Sequence, residues 1–220
     1  MENNQVKLRW ATPDADAEIA YIARVSNPAN QANESIAGLL QYCMANGHVS
    51  PFEMVNVCLE INTTRDIGRQ ILRHRSFSFQ EFSQRYASTE ALPVAPLREC
   101  RLQDSKNRQN SIEAAPYEHE GLQRWWAEAQ MQLHGAALQA YSQALKAGIA
   151  KEQARALLPE GLTASRMYMN GTMRSWIHYL AARLDPSTQK EHRVLAGQAL
   201  AIIRKLAPVT INVFFPVVAQ

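Results

Sequence analysis

Val55, Val57, Leu59 and Ile61 alternate with Asn56, Cys58, Glu60 and Asn62. This period of two predicts a strand with one apolar face. Residues 6–10 read as a shorter strand. Elsewhere the spacing is helical. Ile19, Ile22 and Val25 mark a helix over residues 14–25, and Ile36, Leu39 and Leu40 mark another over 33–44, which Gly47 ends. Thr64 is placed to cap a helix over residues 65–73. There Ile67 and Ile71 form the apolar side, while Arg65, Arg69 and Arg73, four apart, share a face predicted to turn away from the core. Residues 101–116 are polar and read as a surface loop. Leu122, Trp125, Trp126, Ala129, Leu133, Ala137, Ala140, Tyr141 and Ala144 then mark a long amphipathic helix up to Gly148. A short helix over 151–158 is stopped by Pro159. A further helix over 172–184 ends at Asp185-Pro186, and Thr188 with Glu191 forms a capping box for a last helix to residue 205. This order is neither a βαβ repeat nor all helix. It predicts an α+β fold with a mainly antiparallel sheet and flanking helices, in a single domain over residues 1–220.

Composition narrows the setting. A chain of 220 residues, 46% hydrophobic and 20% charged, matches a soluble globular protein with a full core. A net charge of +3 suits small anionic ligands better than a nucleic acid polymer. Cys43, Cys58 and Cys100 have neither metal-ligand spacing nor a disulfide framework, so no metal site is expected and a reducing cytoplasm is the simplest home. Residues 1–5 lack the regions of a signal peptide, and no apolar stretch is long enough for a bilayer, so no membrane association is expected.

The chemistry concentrates in one run, Arg73-His74-Arg75-Ser76-Phe77-Ser78-Phe79-Gln80-Glu81-Phe82-Ser83-Gln84-Arg85-Tyr86. It is too polar for core and too aromatic for a linker. Its arginines suit a phosphate-bearing ligand, because guanidinium meets phosphate oxygens two at a time. His74, between two arginines, should have its protonated form disfavoured by like charge and serve as a neutral hydrogen-bonding ring. Ser83 has no Ser-His-acid arrangement around it and reads as a hydrogen-bond donor. The run would form the loop that leaves the 65–73 helix. Arg174 and His178, four apart, share a helical face and can reach one ligand together. Trp125 and Trp126 read as packing or interface residues.

The run resembles the R-H-R-x-x-S-x-N-x-x-S-x-R-Y motif of the flavin-dependent thymidylate synthases. Arg73, His74, Arg75, Ser78, Ser83, Arg85 and Tyr86 fall on the pattern, and Gln80 replaces its Asn. Three further elements follow in family order. His48-Val49-Ser50-Pro51-Phe52-Glu53 is similar to H-x-T/S-P-F-E, with Met54 where a second His is common. Glu152-Gln153-Ala154-Arg155-Ala156-Leu157-Leu158-Pro159 resembles the "AR..LP" element. Arg174-Ser175-x-x-His178-x-x-x-x-Arg183 resembles the last ligand-binding helix.

The resemblance implies reductive methylation of dUMP to dTMP. The carbon would come from 5,10-methylenetetrahydrofolate and the hydride from FAD reduced by NADPH. It places Arg183 as the cation that activates uracil electrostatically, without a cysteine nucleophile. It assigns His48, Ser50, Arg73, His74, Arg75, Glu81, Thr172, Arg174 and His178 to the flavin, with Thr172 standing where Asn is common. It assigns Gln70, Arg73, Glu81, Ser83, Arg85, Arg155 and Arg183 to dUMP. It further implies a homotetramer with sites between subunits. No Rossmann glycine fingerprint is present, so FAD rests on the resemblance alone. Two other readings stay open: a dUMP hydroxymethylase using the same cofactors, and an RNA-binding module built on the basic and aromatic run.

Overall fold

The computed structural model describes residues 5–216; the absence of a signal peptide was read mainly from residues 1–4, which lie outside them. In chain order the elements are β1 (Val6–Ala11), α1 (Ala15–Ala23), α2 (Ala37–Ala45), β2 (Asn56–Thr64), α3 (Arg65–Ile71), β3 (Ser78–Glu81), β4 (Arg101–Gln103), β5 (Ser111–Glu113), α4 (Glu120–Lys146), α5 (Lys151–Ala154), β6 (Ala164–Thr172), α6 (Met173–Arg183), α7 (Lys190–Leu206) and α8 (Pro208–Phe214). Four strands form one sheet in the order β1-β2-β6-β3, and β4 pairs with β5 in a separate hairpin. Every pairing is antiparallel. The expected α+β class is therefore what the chain adopts.

The inward residues of β2, Val57, Leu59 and Ile61, are buried as their alternation predicts. They meet Met167 and Met169 of β6 and a helical layer led by Trp176, Tyr179 and Leu180 of α6, with Ile203 of α7 and Ile211 of α8. The indole of Trp176 is fully buried and donates to the carbonyl of Val57 at 3.0 Å, which satisfies its one polar atom and ties α6 to the sheet. On the other face, Glu60 lies 3.8 Å from Arg9 and 3.7 Å from Arg166. That face is mostly polar, with Glu60 at the centre of its charges.

Several elements depart from the sequence reading. β6 was not predicted, yet it pairs with β2 along its whole length, from Asn56 with Thr172 to Thr64 with Ala164. Its inward positions are Ser165, Met167, Met169 and Gly171, a set with little β preference. The 73–86 run is not all loop, because β3 pairs with β6. The 101–116 loop contains the β4–β5 hairpin, whose turn is organised by Asp104 accepting from the backbone of Lys106 at 2.8 Å and Asn107 at 3.2 Å. Helix α1 stops at Ala23, leaving Val25 exposed. Helix α8 was also not predicted.

Two caps and one face also differ. Thr64 precedes α3 but makes no side-chain cap; its hydroxyl is taken by Asp66 and by Arg98, at 2.5 Å from the latter. The Thr188–Glu191 capping box does not form. The Thr188 hydroxyl donates to the carbonyl of Ala182 at 3.2 Å, and Glu191 is claimed by Arg101 at 2.5 and 2.7 Å. The three α3 arginines do not share an outward face. Arg65 is only 11% exposed and lies 3.7 Å from Glu81, Arg69 pairs with Glu160 at 3.5 Å, and Arg73 falls beyond the end of the helix.

One close approach positions everything that follows. Phe77 packs edge-on to Trp176, with ring centroids 4.9 Å apart, and lies directly over Gly171. A Cβ at position 171 would stand 2.4 Å from the Phe77 ring, inside any real carbon contact. Gly171→Ala should therefore displace Phe77 and the turn before it. The expected cost is about 1–3 kcal/mol, seen in calorimetry as a fall of several degrees in melting temperature. Gly171→Ala combined with Phe77→Leu should recover part of the loss; an unchanged melting temperature for Gly171→Ala alone would contradict the contact.

Candidate functional site

Helix α6 grows straight out of β6. Thr172 is the last strand residue and also the cap: its hydroxyl accepts from the backbone N–H of Ser175 at 3.2 Å. The same hydroxyl donates to Glu53 Oε2 at 2.7 Å. Glu53 closes a short 3-10 turn, Ser50–Glu53, and its other oxygen accepts from Arg174 Nη1 at 2.8 Å. Donation by Thr172, together with the positive charges of Arg174 and His178, holds the Glu53 carboxyl below the usual carboxylate range despite its partial burial. Arg174 and His178 both lie on the exposed side of α6, as their spacing predicts. The pair Glu53–Arg174 is half exposed, so it orients the guanidinium rather than adding much stability.

The turn from His74 to Phe77 lies along α6 in the opposite direction. Ser175 Oγ donates to the carbonyl of Ser76 at 3.2 Å, and near the other end of the helix Arg183 Nε donates to His74 Nε2 at 2.8 Å. His74 therefore accepts with one ring nitrogen and must be neutral. Burial first, then the charges of Arg183 and Arg73, pull its pKa from 6.5 down to about 4. Its ring is boxed by Tyr179 at 4.9 Å and Phe77 at 6.5 Å between centroids. Arg183 is half-buried and, among the described residues, has no carboxylate within salt-bridge distance. Arg73 and Arg75 are exposed and equally lack a carboxylate partner among the described residues.

A second group forms at the far end of β3. Glu81 accepts from Ser165 Oγ at 2.7 Å and faces Arg65. Ser83 opens a turn, its carbonyl accepting from the N–H groups of Tyr86 and Ala87. Arg85 Nε donates to Glu152 Oε2 at 3.2 Å, while Arg155 Nε donates to the Glu152 backbone carbonyl at 3.2 Å. Glu152 thus brings Arg85 and Arg155 together rather than forming an i, i+3 ion pair with Arg155. No hydrogen bond or ion pair joins this group to the α6 group among the described residues.

Gln70 sits behind His74. Its Oε1 lies 3.3 Å from His192 Nδ1, and its Nε2 donates to Gln189 Oε1 at 2.7 Å. His48 and Ser50 are exposed and stand apart; His48 donates its N–H to the Cys43 carbonyl at 2.8 Å, and its ring meets Tyr42 edge-on. Gln80 is exposed on β3, opposite Tyr168. Neither tryptophan of α4 approaches the site: Trp126 Nε1 donates to the carbonyl of Arg98 at 3.0 Å and Trp125 is largely exposed. A cavity of about 770 Å³ opens beside α4 and the β4–β5 hairpin, lined by none of the candidate residues. In a single chain the arginines therefore present an open surface.

Sequence reasoning missed Glu53 as a site residue, although it ends the quoted His48–Glu53 element. It also missed the buried neighbours Tyr179 and His192. A histidine in an otherwise ordinary amphipathic helix was the available signal for the second.

Comparison with known proteins follows the same lines. Residues 7–209 match the family model described as "Thymidylate synthase complementing protein". A "Probable flavin-dependent thymidylate synthase" of Paramecium bursaria Chlorella virus 1 is 49% identical over 195 residues, covering 88% of this chain and 88% of the relative. A "Flavin-dependent thymidylate synthase" of Synechocystis sp. is 50% identical over 190 residues, covering 86% and 85%. Among solved structures, a UMP/dUMP methylase, PolB, from Streptomyces cacaoi bound with 5-Br dUMP superposes with a TM-score of 0.81 at 28% identity, over 95% of this chain and 93% of that one. These matches favour the synthase over the hydroxymethylase and RNA-binding readings. With the motif residues gathered along α6 and β3 and the match running from β1 to α8, the chain belongs to the flavin-dependent thymidylate synthase family.

Proposed function

We propose that this protein, acting as one domain per chain, methylates dUMP reductively to dTMP. The carbon comes from 5,10-methylenetetrahydrofolate, and the observation that carries the mechanism is Arg183. It is a half-buried guanidinium whose side-chain partner is a neutral imidazole. Uracil C5 becomes nucleophilic only if negative charge can build up across N3 and the carbonyls. A fixed cation in a partly dry site stabilises that charge, and a neutral acceptor holds the cation without cancelling it. A carboxylate in the place of His74 would orient Arg183 equally well and quench it.

The thiol route finds no support. Burial raises the pKa of Cys43 and Cys58, which disfavours the thiolate, and Cys100 lines the cavity beside α4 rather than the arginine surface.

The donor set fits a flavin dinucleotide. Arg73 and Arg75 supply exposed, unneutralised cations for phosphate, and Arg174 and His178 add donors on the exposed side of α6; on this reading Thr172, Ser50, His48, His74 and Glu81 also contact the flavin. When bound, FAD supplies the hydride that completes the methyl group, and NADPH supplies its electrons. On this reading Gln70, Arg73, Glu81, Ser83, Arg85, Arg155 and Arg183 take the nucleotide. The open arginine surface and the separation of the Arg85–Arg155 group from α6 support a homotetramer in which neighbouring chains complete each site. The cytoplasm is the matching compartment, and among the described residues no helix is long and apolar enough to cross a membrane. Neither a nucleic acid polymer nor a membrane is a partner on this reading.

The reading is tested by supplying dUMP, methylenetetrahydrofolate and NADPH to the purified protein and weighing the nucleotide product; dTMP is expected, and 5-hydroxymethyl-dUMP or unchanged dUMP would refute it. Arg183→Ala should lower kcat by about 100- to 1000-fold while the fold and the released-flavin content stay at wild-type levels. Undiminished tritium release from C5-labelled dUMP would remove Arg183 from the mechanism. His74 should stay neutral through pH 6. Its pKa in the folded chain, about 4, lies below the ordinary 6.5. As pH falls, the unfolded chain takes up this proton first. The contribution to stability is therefore full above about 6.5 and is lost on the way down to about 4. A ring-carbon NMR titration should show its inflection below pH 5, and His74→Asn should make melting temperature fall less steeply over that window.

A further inference from the structure

Behind the arginine surface runs a line of side-chain hydrogen bonds that the catalytic reading does not use. It starts at Glu191, partly buried between Arg101 Nη2, at 2.5 and 2.7 Å, and Arg98 Nη1, at 3.5 Å. Gln189 Nε2 donates to Glu191 Oε2 at 2.9 Å, Gln70 Nε2 donates to Gln189 Oε1 at 2.7 Å, His192 Nδ1 lies 3.3 Å from Gln70 Oε1, and Tyr179 OH lies 3.1 Å from His192 Nε2. Two of these links, to Gln70 and to Tyr179, meet at His192, which is completely buried.

We propose that Glu191, acting through Gln189, sets the orientation of the Gln70 carboxamide and the tautomer of His192, and so decides which atoms Gln70 turns towards the nucleotide. Glu191 is the one member of the line that cannot be reversed. An ionised carboxylate only accepts, and the two arginines keep it ionised: its pKa is held below the usual range despite burial. Gln189 must then point its NH₂ at Glu191, which leaves its oxygen facing Gln70. Gln70 must answer with its own NH₂, which leaves its oxygen facing His192. His192 must donate from Nδ1, and its Nε2 is left to accept from Tyr179. Each choice forces the next, because reversing any one amide sets two acceptors or two donors against each other. Burial first, then the charge of Arg183, keeps His192 neutral, with a pKa lowered to about 3, so the line holds across the working pH range.

The consequence falls on Gln70. A carboxamide offers two donor hydrogens and two acceptor lone pairs. One of each is spent inside the line, and one of each remains. A uracil imide edge alternates acceptor, donor and acceptor, so a carboxamide fixed in one orientation pairs N3–H with one particular carbonyl, and a reversed amide would force the base to shift to the other. Glu191, Gln189 and His192 act here as positioning residues. The inference rests on Gln70 contacting dUMP, as proposed above.

The test has two independent arms. In protein carrying ¹⁵N-histidine, His192 should be the neutral Nδ1–H tautomer at pH 7; an Nε2–H tautomer or an imidazolium overturns the line itself. In steady-state kinetics, Gln189→Met, which removes the relay and leaves the Glu191–arginine pairs in place, should raise KM for dUMP roughly five- to tenfold with the flavin spectrum unchanged. It should also release His192 to a mixture of tautomers. His192→Asn, which keeps a donor near the Nδ1 position, should restore most of the affinity lost in His192→Leu. A fall in melting temperature with KM unchanged in all three would mean a purely structural role and overturn the proposal. Gln70→Ala separates the premises: unchanged dUMP affinity there overturns the link to substrate, whatever the tautomer shows.

Discussion

The structure turns on a guanidinium held by a neutral imidazole. Arg183 needs a partner that fixes its direction, and most proteins would use a carboxylate. His74 does so without contributing opposite charge, and the surroundings make that possible. Tyr179 and Phe77 pack edge-on against its ring, burial disfavours the protonated form, and the charges of Arg183 and Arg73 disfavour it further. The cation and its acceptor therefore stabilise one another's chemical state: Arg183 keeps His74 neutral, and a neutral His74 leaves Arg183 charged.

That pair depends on packing some distance away. Phe77 can close the box only because Gly171 lets its ring lie on the strand, and Tyr179 faces inward only because Trp176 anchors α6 to the carbonyl of Val57. The 73–86 segment is thus lashed down at three points: His74 to Arg183, Ser76 to Ser175, and β3 to β6. Between the first two lashings, Arg75 is left exposed on an otherwise immobilised backbone. This arrangement, pinned main chain with free cations, is what a ligand bearing phosphates would require.

The chemistry was more legible than the frame carrying it. Arg174 and His178 were readable because a helical repeat announces a shared face, whereas the cap made by Thr172 was not, since the sequence reading placed that residue inside the helix. The lowered pKa of His74 was anticipated from the arginines beside it, but its largest cause, burial, and its main charged neighbour, Arg183, came only with the fold. The strand that carries α6 was not readable: β6 buries serine, methionine and glycine, whose preferences say nothing of a sheet, and its central place is imposed by pairing with β2. The capping box failed for an equally physical reason. Glu191 had a stronger use, against Arg98 and Arg101, and a local motif cannot show that a distant arginine will outbid a backbone N–H.

Both inner strands of the sheet run into helices with no residue between. β2 ends at Thr64 and α3 begins at Arg65; β6 ends at Thr172 and α6 begins at Met173. A strand and a helix joined this way behave as one rigid lever. The nine-residue step from Arg174 to Arg183 along α6 becomes a gauge of about 13 Å, ruled by backbone hydrogen bonds instead of by adaptable side chains. Inserting a single residue in that stretch would swing Arg183 about 100° around the helix axis and detach it from His74. Changes in chain length can be absorbed around the surface turn of the β4–β5 hairpin, which no candidate residue depends on, but the β6–α6 lever has no slack in which to hide one.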